Sequence, residues 1–461
     1  MRRPLLLMAG ILALAAGLRF YHLASAPPGL FHDEAMNGNN SLENLETGHF
    51  SVFYPENGGR EGLYVNSATL FVHFLGNTSV ALRLPAAIFG VLTVWGVYLL
   101  GRELFSPPIG LLASFFTATS FWHLVFSRLG LRAIAAPLFL TFGLWLLLVG
   151  LRRAREGRPA IGIMLAAGAV YGLGFHTYIA YRATPVLVGA ILLHGFAHRR
   201  ACLAFLAATT AVCAPLALYF LQHPDAFVAR SWQVSAAQSP NPAREVILNT
   251  WRTARMFFRQ GDLNWRHNVA YRAEIFWPVA ILFAIGVLAA VARARNRRFP
   301  YILALGWMVL GAIPPVLSND VVPHALRSLL LIPPAFLLAA VGADVAYNFL
   351  SAHLPRAVLA PLAAGLLLAL AYEPYHTYFD LWAPDARVAA AMNSEEAQVA
   401  REINALPRRA PKVVAVSSAG VLTIQYLTRS YTRKQQEDAN IRYVDADACE
   451  APAGTAVFCL E

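Results

Sequence analysis

Long apolar runs alternate with short polar links along this chain, and the runs set the architecture. A membrane-crossing helix needs about 20 mostly apolar residues. Eleven stretches come near that length: approximately 4–22, 84–101, 108–126, 132–151, 160–178, 183–197, 201–221, 275–292, 300–317, 327–346 and 355–372. The first continues through Leu18, Phe20 and Tyr21 without a small-residue cleavage site, so it reads as a retained anchor rather than a signal peptide. Every second link is arginine-bearing: Arg102, then Arg152, Arg153, Arg155 and Arg158, then Arg199 and Arg200, then Arg293, Arg295, Arg297 and Arg298, then Arg356. Short basic loops stay in the cytoplasm, so the N-terminus is expected there. Residues 23–83, 222–274 and everything after Tyr372 are then expected outside.

Two outer segments carry patterns of their own. GLYVNSATLFVHFLG spaces Tyr64, Ala68, Phe71, Val72 and Leu75 as a helix does, and predicts an amphipathic helix held against the membrane surface. After Glu373 the chain turns polar. SEEAQVAREINAL predicts a helix capped by Ser394, KVVAVS a buried strand, VLTIQYLTR a second helix, and IRYVDA and AVFCL further strands. The division expected is 1–372 as a transmembrane helix bundle and 373–461 as a small α/β unit, a cap or acceptor platform without a phosphate loop or nucleophile elbow. The fold class is mainly α, a polytopic transmembrane bundle.

Composition agrees: 57% of residues are hydrophobic and 14% charged, with a mean hydropathy of +0.49. The net charge of +11 is carried by arginine, since Lys412 and Lys434 are the lysines. Because much of that arginine sits in links between spans, nucleic acid is not the expected partner. Cys202 and Cys213 fall inside an apolar run as small core residues, whereas Cys449 and Cys459 either pair outside the membrane or remain buried thiols. The spans lack the mid-membrane acids of a proton-coupled transporter; Asp344 lies near a cytoplasmic end.

Chemistry gathers at the outer face. GLFHDEAMNGNN, just beyond the first span, sets Asp33 beside Glu34. A carboxylate there suits a general base acting on an acceptor hydroxyl, while the plain alternative is that the acid pair caps a helix starting near Ala35. Arg60, Arg83, Arg128, Arg132, Arg182 and Arg327 also lie near outer ends. Arginine's planar fork grips phosphate in two places. Arg327 with His324 one turn before it, Arg182, Arg83 and Arg60 are the phosphate-binding candidates, and Arg128 and Arg132 read as snorkelling to lipid headgroups. GFHTYIAYRATP gathers His176, Tyr178 and Tyr181 beside Arg182, either as a sugar pocket or as an aromatic anchoring belt.

These residues carry a resemblance. HDEA after the first span, NTSVALRLPAAIFGVLTVWGVYLLGRELF through the second, the SRLGLR link and HALRSLLLIPPAFLLAAVG late in the bundle resemble the bacterial GT-C glycosyltransferases of the family 39 type, relatives of protein O-mannosyltransferases and lipid A aminoarabinose transferases. The resemblance implies a polyprenyl-phosphate sugar donor, an extracytoplasmic acceptor (glycan, lipid or protein), an inverting transfer at the outer face of a bacterial inner membrane, and Asp33 as base with Glu34 beside it. LGLRAIAAPLF lacks the further acid such proteins often carry, so no metal or other cofactor is expected. The absence of a WWDYG-like motif argues against transfer to asparagine. The competing reading is a transporter or flippase of lipid-linked sugars, which should show broken helices in paired halves.

Overall fold

The computed structural model describes residues 2–296, 298–449 and 454–460, so Arg297 of the fourth arginine link lies outside them. All eleven apolar stretches are helical. They correspond to α1 (Arg2–Phe20), then, after α2 (His32–Thr47), the β1–β2 hairpin (Phe53–Tyr54, Arg60–Glu61) and α3 (Leu63–Leu75), to α4 (Ser79–Leu104), α5 (Pro107–Ala118) with α6 (Phe121–Phe126), α7 (Ala135–Arg155), α8 (Ile161–Gly174), α9 (Pro185–His194) and α10 (Arg199–Gln222). Two polar-loop helices, α11 (Pro224–Gln233) and α12 (Pro242–Arg255), precede α13 (Trp277–Arg295), α14 (Phe299–Val316), α15 (Ile332–Ser351) and α16 (Arg356–Tyr375). Seven helical segments among the described residues are long and apolar enough to cross a membrane, and the chain is a multi-pass membrane protein.

The stretch 108–126 does not form the single span expected. Ser120 ends it as an N-cap, its hydroxyl accepting the His123 N–H at 3.3 Å, so α5 stops and α6 starts as a separate helix. The bundle packs around α15, which is almost wholly buried from Ile332 to Gly342. It meets α13 backbone to backbone: a Cβ on Gly286 would fall 1.8 Å from the Leu338 carbonyl oxygen, and one on Gly342 1.8 Å from that of Leu282. Small residues at a crossing are how membrane helices reach van der Waals contact where no hydrophobic force separates protein from lipid.

The last ninety or so residues fold as anticipated in kind. After α17 (Ala386–Ala391) come α18 (Ser394–Ala405), β3 (Lys412–Ala415), α19 (Gly420–Thr428), α20 (Arg433–Ala439), β4 (Ile441–Val444) and β5 (Ala456–Cys459). The strands form a parallel sheet in the order β4-β3-β5, and Cys449 and Cys459 are disulfide-bonded. Asn393, in the left-handed conformation, takes the cap position of α18 rather than Ser394. This unit lies directly on α2: Thr423 donates to the Leu30 carbonyl at 2.9 Å, the Tyr426 hydroxyl donates to the Thr78 carbonyl at 3.0 Å, and the Tyr426 ring fills the space over Gly38.

Candidate active site

Asp33 and Glu34 occupy the first turn of α2 and part company there. Glu34 is fully buried. Its Oε1 accepts the Gly130 N–H at 2.6 Å and Arg83 Nε at 3.1 Å, and its Oε2 accepts the Phe31 N–H at 3.2 Å. That last bond is the capping role foreseen for the pair, taken by one member, and α2 begins at His32 rather than near Ala35. Arg83 is closed to solvent too, and also donates to the carbonyls of Pro27 and Gly29. A buried, fully bonded ion pair has no free valence for a substrate, so Glu34 and Arg83 are removed from the set expected to touch one.

Asp33 stays open, its side chain 36% exposed. Its Oδ1 accepts Asn57 Nδ2 at 2.7 Å. Asn57, Gly58 and Gly59 all have positive φ, the conformation that lets the short turn between β1 and β2 close. The hairpin thus lays Asn57 on Asp33 and starts β2 at Arg60. The Arg60 guanidinium is fixed by the amide oxygens of Asn37 at 2.7 Å and Asn40 at 2.5 Å. Burial lowers its pKa to about 10, which leaves it a cation at neutral pH. The run of asparagines in α2 is a poor helix former, and here its side chains tie neighbouring segments: Asn37 Nδ2 reaches the Gly130 carbonyl, and Asn44 reaches Tyr54 and Thr69.

Asp33 and Arg60 line a cavity of about 160 Å³ together with Asn57, Arg132, Tyr178, Arg266, His267, Asp320, His324 and Arg327. Four arginines against two aspartates give its wall a positive bias suited to an anion. Arg327 is buried, donates to Ser318 Oγ, and donates to Asp320 Oδ2 at 2.7 Å. Arg132 bonds Glu61 at 3.1 Å and lies over the Tyr178 ring. It is therefore a cavity residue and not a lipid-facing one.

Two larger hollows share walls with this cavity. One of about 300 Å³ is mainly apolar, walled by Ile179, Ala180, Val234, Ile313, Pro314 and Leu317, and it shares Tyr178 and Arg327. The other, of about 490 Å³, is polar, with Glu245, Arg252, Arg255, Gln260 and Asn319, and shares Asp320.

The remaining expected residues lie elsewhere. Arg182 donates to the Phe227 carbonyl at 2.7 Å and stacks on Phe220 and Phe227. His176 is bonded to the Val212 carbonyl at 2.9 Å. Tyr181 is fully buried among Tyr171 and Phe175. Of the GFHTYIAYRATP group, only Tyr178 reaches the cavity. Arg128 is fully buried, so the snorkelling expectation fails: it donates to the carbonyls of Leu18, Arg19 and Ala26 at 2.8 Å, satisfying the end of α1, and stacks on Tyr378 and Phe379.

Sequence reasoning missed Arg266, whose guanidinium sits 4.2 Å over the Phe31 ring, and the polar group behind it. Asp262 accepts the N–H groups of Asn264 and Ala325 and pairs with His267 at 2.9 Å. Burial alone would raise its pKa, yet His267 holds it below the ordinary carboxylate value. Glu274 next to it accepts the Asp262 N–H at 2.8 Å, and burial raises its pKa well above the ordinary carboxylate value, Arg272 offsetting this only in part. Burial and then His267 push His324 down to about 3. The spacing to Arg327 singles out His324, but GDLNWRHN has no periodicity; its cluster of Asp, Asn and His was the available signal.

By its likeness to the solved structures below, the membrane-embedded bundle has a GT-C-like fold. Residues 66–223 match the family model of dolichyl-phosphate-mannose-protein mannosyltransferases. Among solved structures, the chain is similar to ArnT from Cupriavidus metallidurans bound to undecaprenyl phosphate, at 15% identity and a TM-score of 0.62, covering 91% of this chain and 84% of that one. It is also similar to an Archaeoglobus fulgidus oligosaccharyltransferase tethered with an acceptor peptide, at 13% identity and a TM-score of 0.53 over 93% of this chain, which spans 63% of that longer one. The archaeal oligosaccharyltransferase AglB from the same organism, in complex with an inhibitory peptide and a dolichol-phosphate, gives 14% identity and a TM-score of 0.54 over 96% of this chain and 69% of that one. No curated protein sequence matches the chain.

Proposed function

We propose that the chain is an integral-membrane glycosyltransferase that moves a sugar, with inversion, from a polyprenyl-phosphate donor to an acceptor on the outer side of a bacterial inner membrane. The observation that carries this reading is one cavity in which an open carboxylate, Asp33, shares a wall with Arg60 and Arg327, while Arg327 also lines an adjoining apolar hollow. That is the arrangement an isoprenoid phosphate sugar needs: tail in the apolar space, phosphate at the arginines, sugar in the cavity. The ArnT structure with undecaprenyl phosphate and the AglB structure with dolichol-phosphate are consistent with it.

In this mechanism the acceptor hydroxyl attacks the anomeric carbon from the face opposite the phosphate. The new carbon–oxygen bond forms as the sugar–phosphate bond breaks, the hydroxyl proton passes to Asp33, and the bonding pair leaves with the polyprenyl phosphate. Asn57 orients the carboxylate, and Arg327 and Arg60 bind the departing charge. The polar hollow past Asp320 offers the acceptor a way in. The arginine-bearing links, at the helix ends away from this cavity, support a cytoplasmic N-terminus and an outward-facing site. Acids such as Glu103 temper that end, where Arg152 pairs with it at 2.6 Å.

The test is purified protein in nanodiscs with a panel of polyprenyl-phosphate sugars, scoring release of the lipid phosphate. Release with at least one donor, reduced by about two to four orders of magnitude in Asp33→Asn, is expected for loss of a general base. Undiminished release by Asp33→Asn refutes the base assignment. No release with any donor, together with movement of a donor between leaflets, moves the weight to the transport reading.

A further inference from the structure

Arg266 sits on a loop without helix or strand, so its place in the cavity wall has to be held from outside that loop. Residues 261–274 close on themselves through the Arg272 carbonyl, which accepts Asn268 Nδ2 at 2.6 Å and the Gly261 N–H at 3.1 Å. Inside the closed loop Arg266 Nε donates to Asn264 Oδ1 at 3.2 Å. Its guanidinium lies 4.2 Å over the ring of Phe31, two residues before Asp33, and Arg266 and Asp33 both line the cavity.

The chain leading from α16 to the C-terminal unit grips this loop at three points. Arg272 pairs with Glu373, which also accepts the Thr377 hydroxyl at 2.7 Å. The Trp382 indole N–H is shared between the carbonyls of Trp265 at 2.8 Å and Asn268 at 3.2 Å, the residues on either side of Arg266 and His267. Arg387, held by the Asp385 carboxylate at 2.9 and 2.7 Å, sets its guanidinium 3.8 Å over the Trp265 ring. We infer that Trp382 is a positioning residue: by tying down those two carbonyls it fixes where the Arg266 guanidinium stands relative to Asp33.

Trp382 is fully buried, and a buried indole N–H needs an acceptor; here the acceptors belong to a distant loop and not to its own helix. It ends a π-helical stretch, His376–Trp382, whose i to i+5 bonding shifts the face on which the last residue falls. Such stretches are rare and concentrate at functional sites. The same piece of chain then reaches the facing wall. Met392 shares a small hollow with Phe31, Arg266 and His267, and its carbonyl oxygen stands 2.3 Å from where a Cβ on Gly29 would be. Arg266 and the Phe31 on which it rests are therefore kept in register by one segment, residues 373–392. The effect of this on turnover rests on the proposed transfer; the grip on the loop does not.

Hydrogen exchange on the full-length protein in nanodiscs, without substrate, tests the grip. Trp382→Phe keeps a ring against Phe121 and Tyr378 and removes the N–H. Peptides covering 262–272 should exchange about five- to ten-fold faster, as for one lost hydrogen bond, while α13 and α15 exchange as in the native protein. A double-variant cycle tests the consequence. Trp382→Phe and Arg266→Gln should each slow release of polyprenyl phosphate about ten-fold, and the double variant should fall no further than Arg266→Gln alone. Losses that multiply show that Trp382 acts through something else and overturn the inference, as does native exchange in 262–272. If the Trp382→Phe chain loosens throughout, Arg387→Gln decides, since that side chain is exposed and its loss leaves the core intact. Its 262–272 peptides should exchange about two-fold faster or more with the bundle unchanged; native exchange there again overturns the inference. A native protein inactive with every donor sinks the transfer reading alone, and the exchange result still decides the grip.

Discussion

Arg83 reaches across 49 residues of chain to grip Glu34 through Nε at 3.1 Å and Nη2 at 3.4 Å, and both side chains are closed to solvent. The carboxylate next to it in sequence, Asp33, stands in the cavity. Two adjacent acids therefore do different work: one holds the loop and the other is available for chemistry.

Substitutions should separate those roles. Glu34→Ala leaves a buried guanidinium unpaired and should cost about 3–5 kcal/mol. In practice that means a large fall in apparent unfolding temperature or in yield of folded protein, measured by intrinsic fluorescence in detergent. Asp33→Asn should unfold at the native temperature to within a degree or two while losing transfer. Equal destabilisation by both variants would contradict the division.

Arg327 should act on the donor. Arg327→Lys keeps a charge but loses the fork that spans Ser318 and Asp320. A rise of about ten-fold or more in KM for the lipid donor is expected, with a larger loss in Arg327→Met, measured by steady-state release of polyprenyl phosphate. Arg182→Met, whose guanidinium bonds the Phe227 carbonyl and lies 3.9 Å from Glu61 outside the cavity lining, should leave donor KM within about two-fold of native.

Glu274 sets a pH dependence. Its folded pKa lies well above the ordinary 4.5, with burial as the main cause. The folded chain therefore keeps a proton that the unfolded chain gives up. The sign follows: this group's contribution is fully present below about 4.5 and is lost progressively as pH rises toward the raised value. Apparent stability measured between pH 5 and 8 should fall with pH in the native protein, and Glu274→Gln should flatten that part of the slope. An unchanged slope in Glu274→Gln would show that Glu274 is ionised in the folded protein.

The seat of α19 on α2 is tight enough to probe by steric insertion. A Cβ on Gly38 would lie 2.4 Å from the Tyr426 ring, so Gly38→Val must push that ring away. Faster proteolysis of residues beyond 383 and a loss of about 1–3 kcal/mol are expected from overpacking. Tyr426→Ala combined with Gly38→Val should recover part of it, since the ring that clashes is then gone.

Much of the fold was legible. The eleven apolar stretches correspond to helices because apolar length alone selects a membrane helix. The break at Ser120 escaped notice because an N-cap serine inside an apolar run changes hydropathy little. Asp33, singled out as a carboxylate just after an anchor, and Arg60 and Arg327, singled out as arginines at outer ends, do line one cavity. Which arginine meets water and which meets backbone could not be read. Arg83 and Arg128 differ from Arg60 only in what the fold places beside them: carbonyls at the end of α1 for Arg128, and Glu34 for Arg83. His324 was marked by its spacing to Arg327, whereas Asp262 and His267 come from an aperiodic loop that no local spacing announces, and the three converge only in the fold.

The bond from Thr423 to the Leu30 carbonyl joins residues 393 apart. Ribosomes deliver chains from the N-terminus, so α2 enters its compartment long before α19 exists. The loop between α1 and α4 must wait, incompletely supported, until the final stretch of the message has been translated. Cells making a version of this chain cut short before α19 should therefore insert the bundle normally yet show an unfinished, protease-sensitive first loop. Quality control could judge the whole chain by whether that late contact has closed.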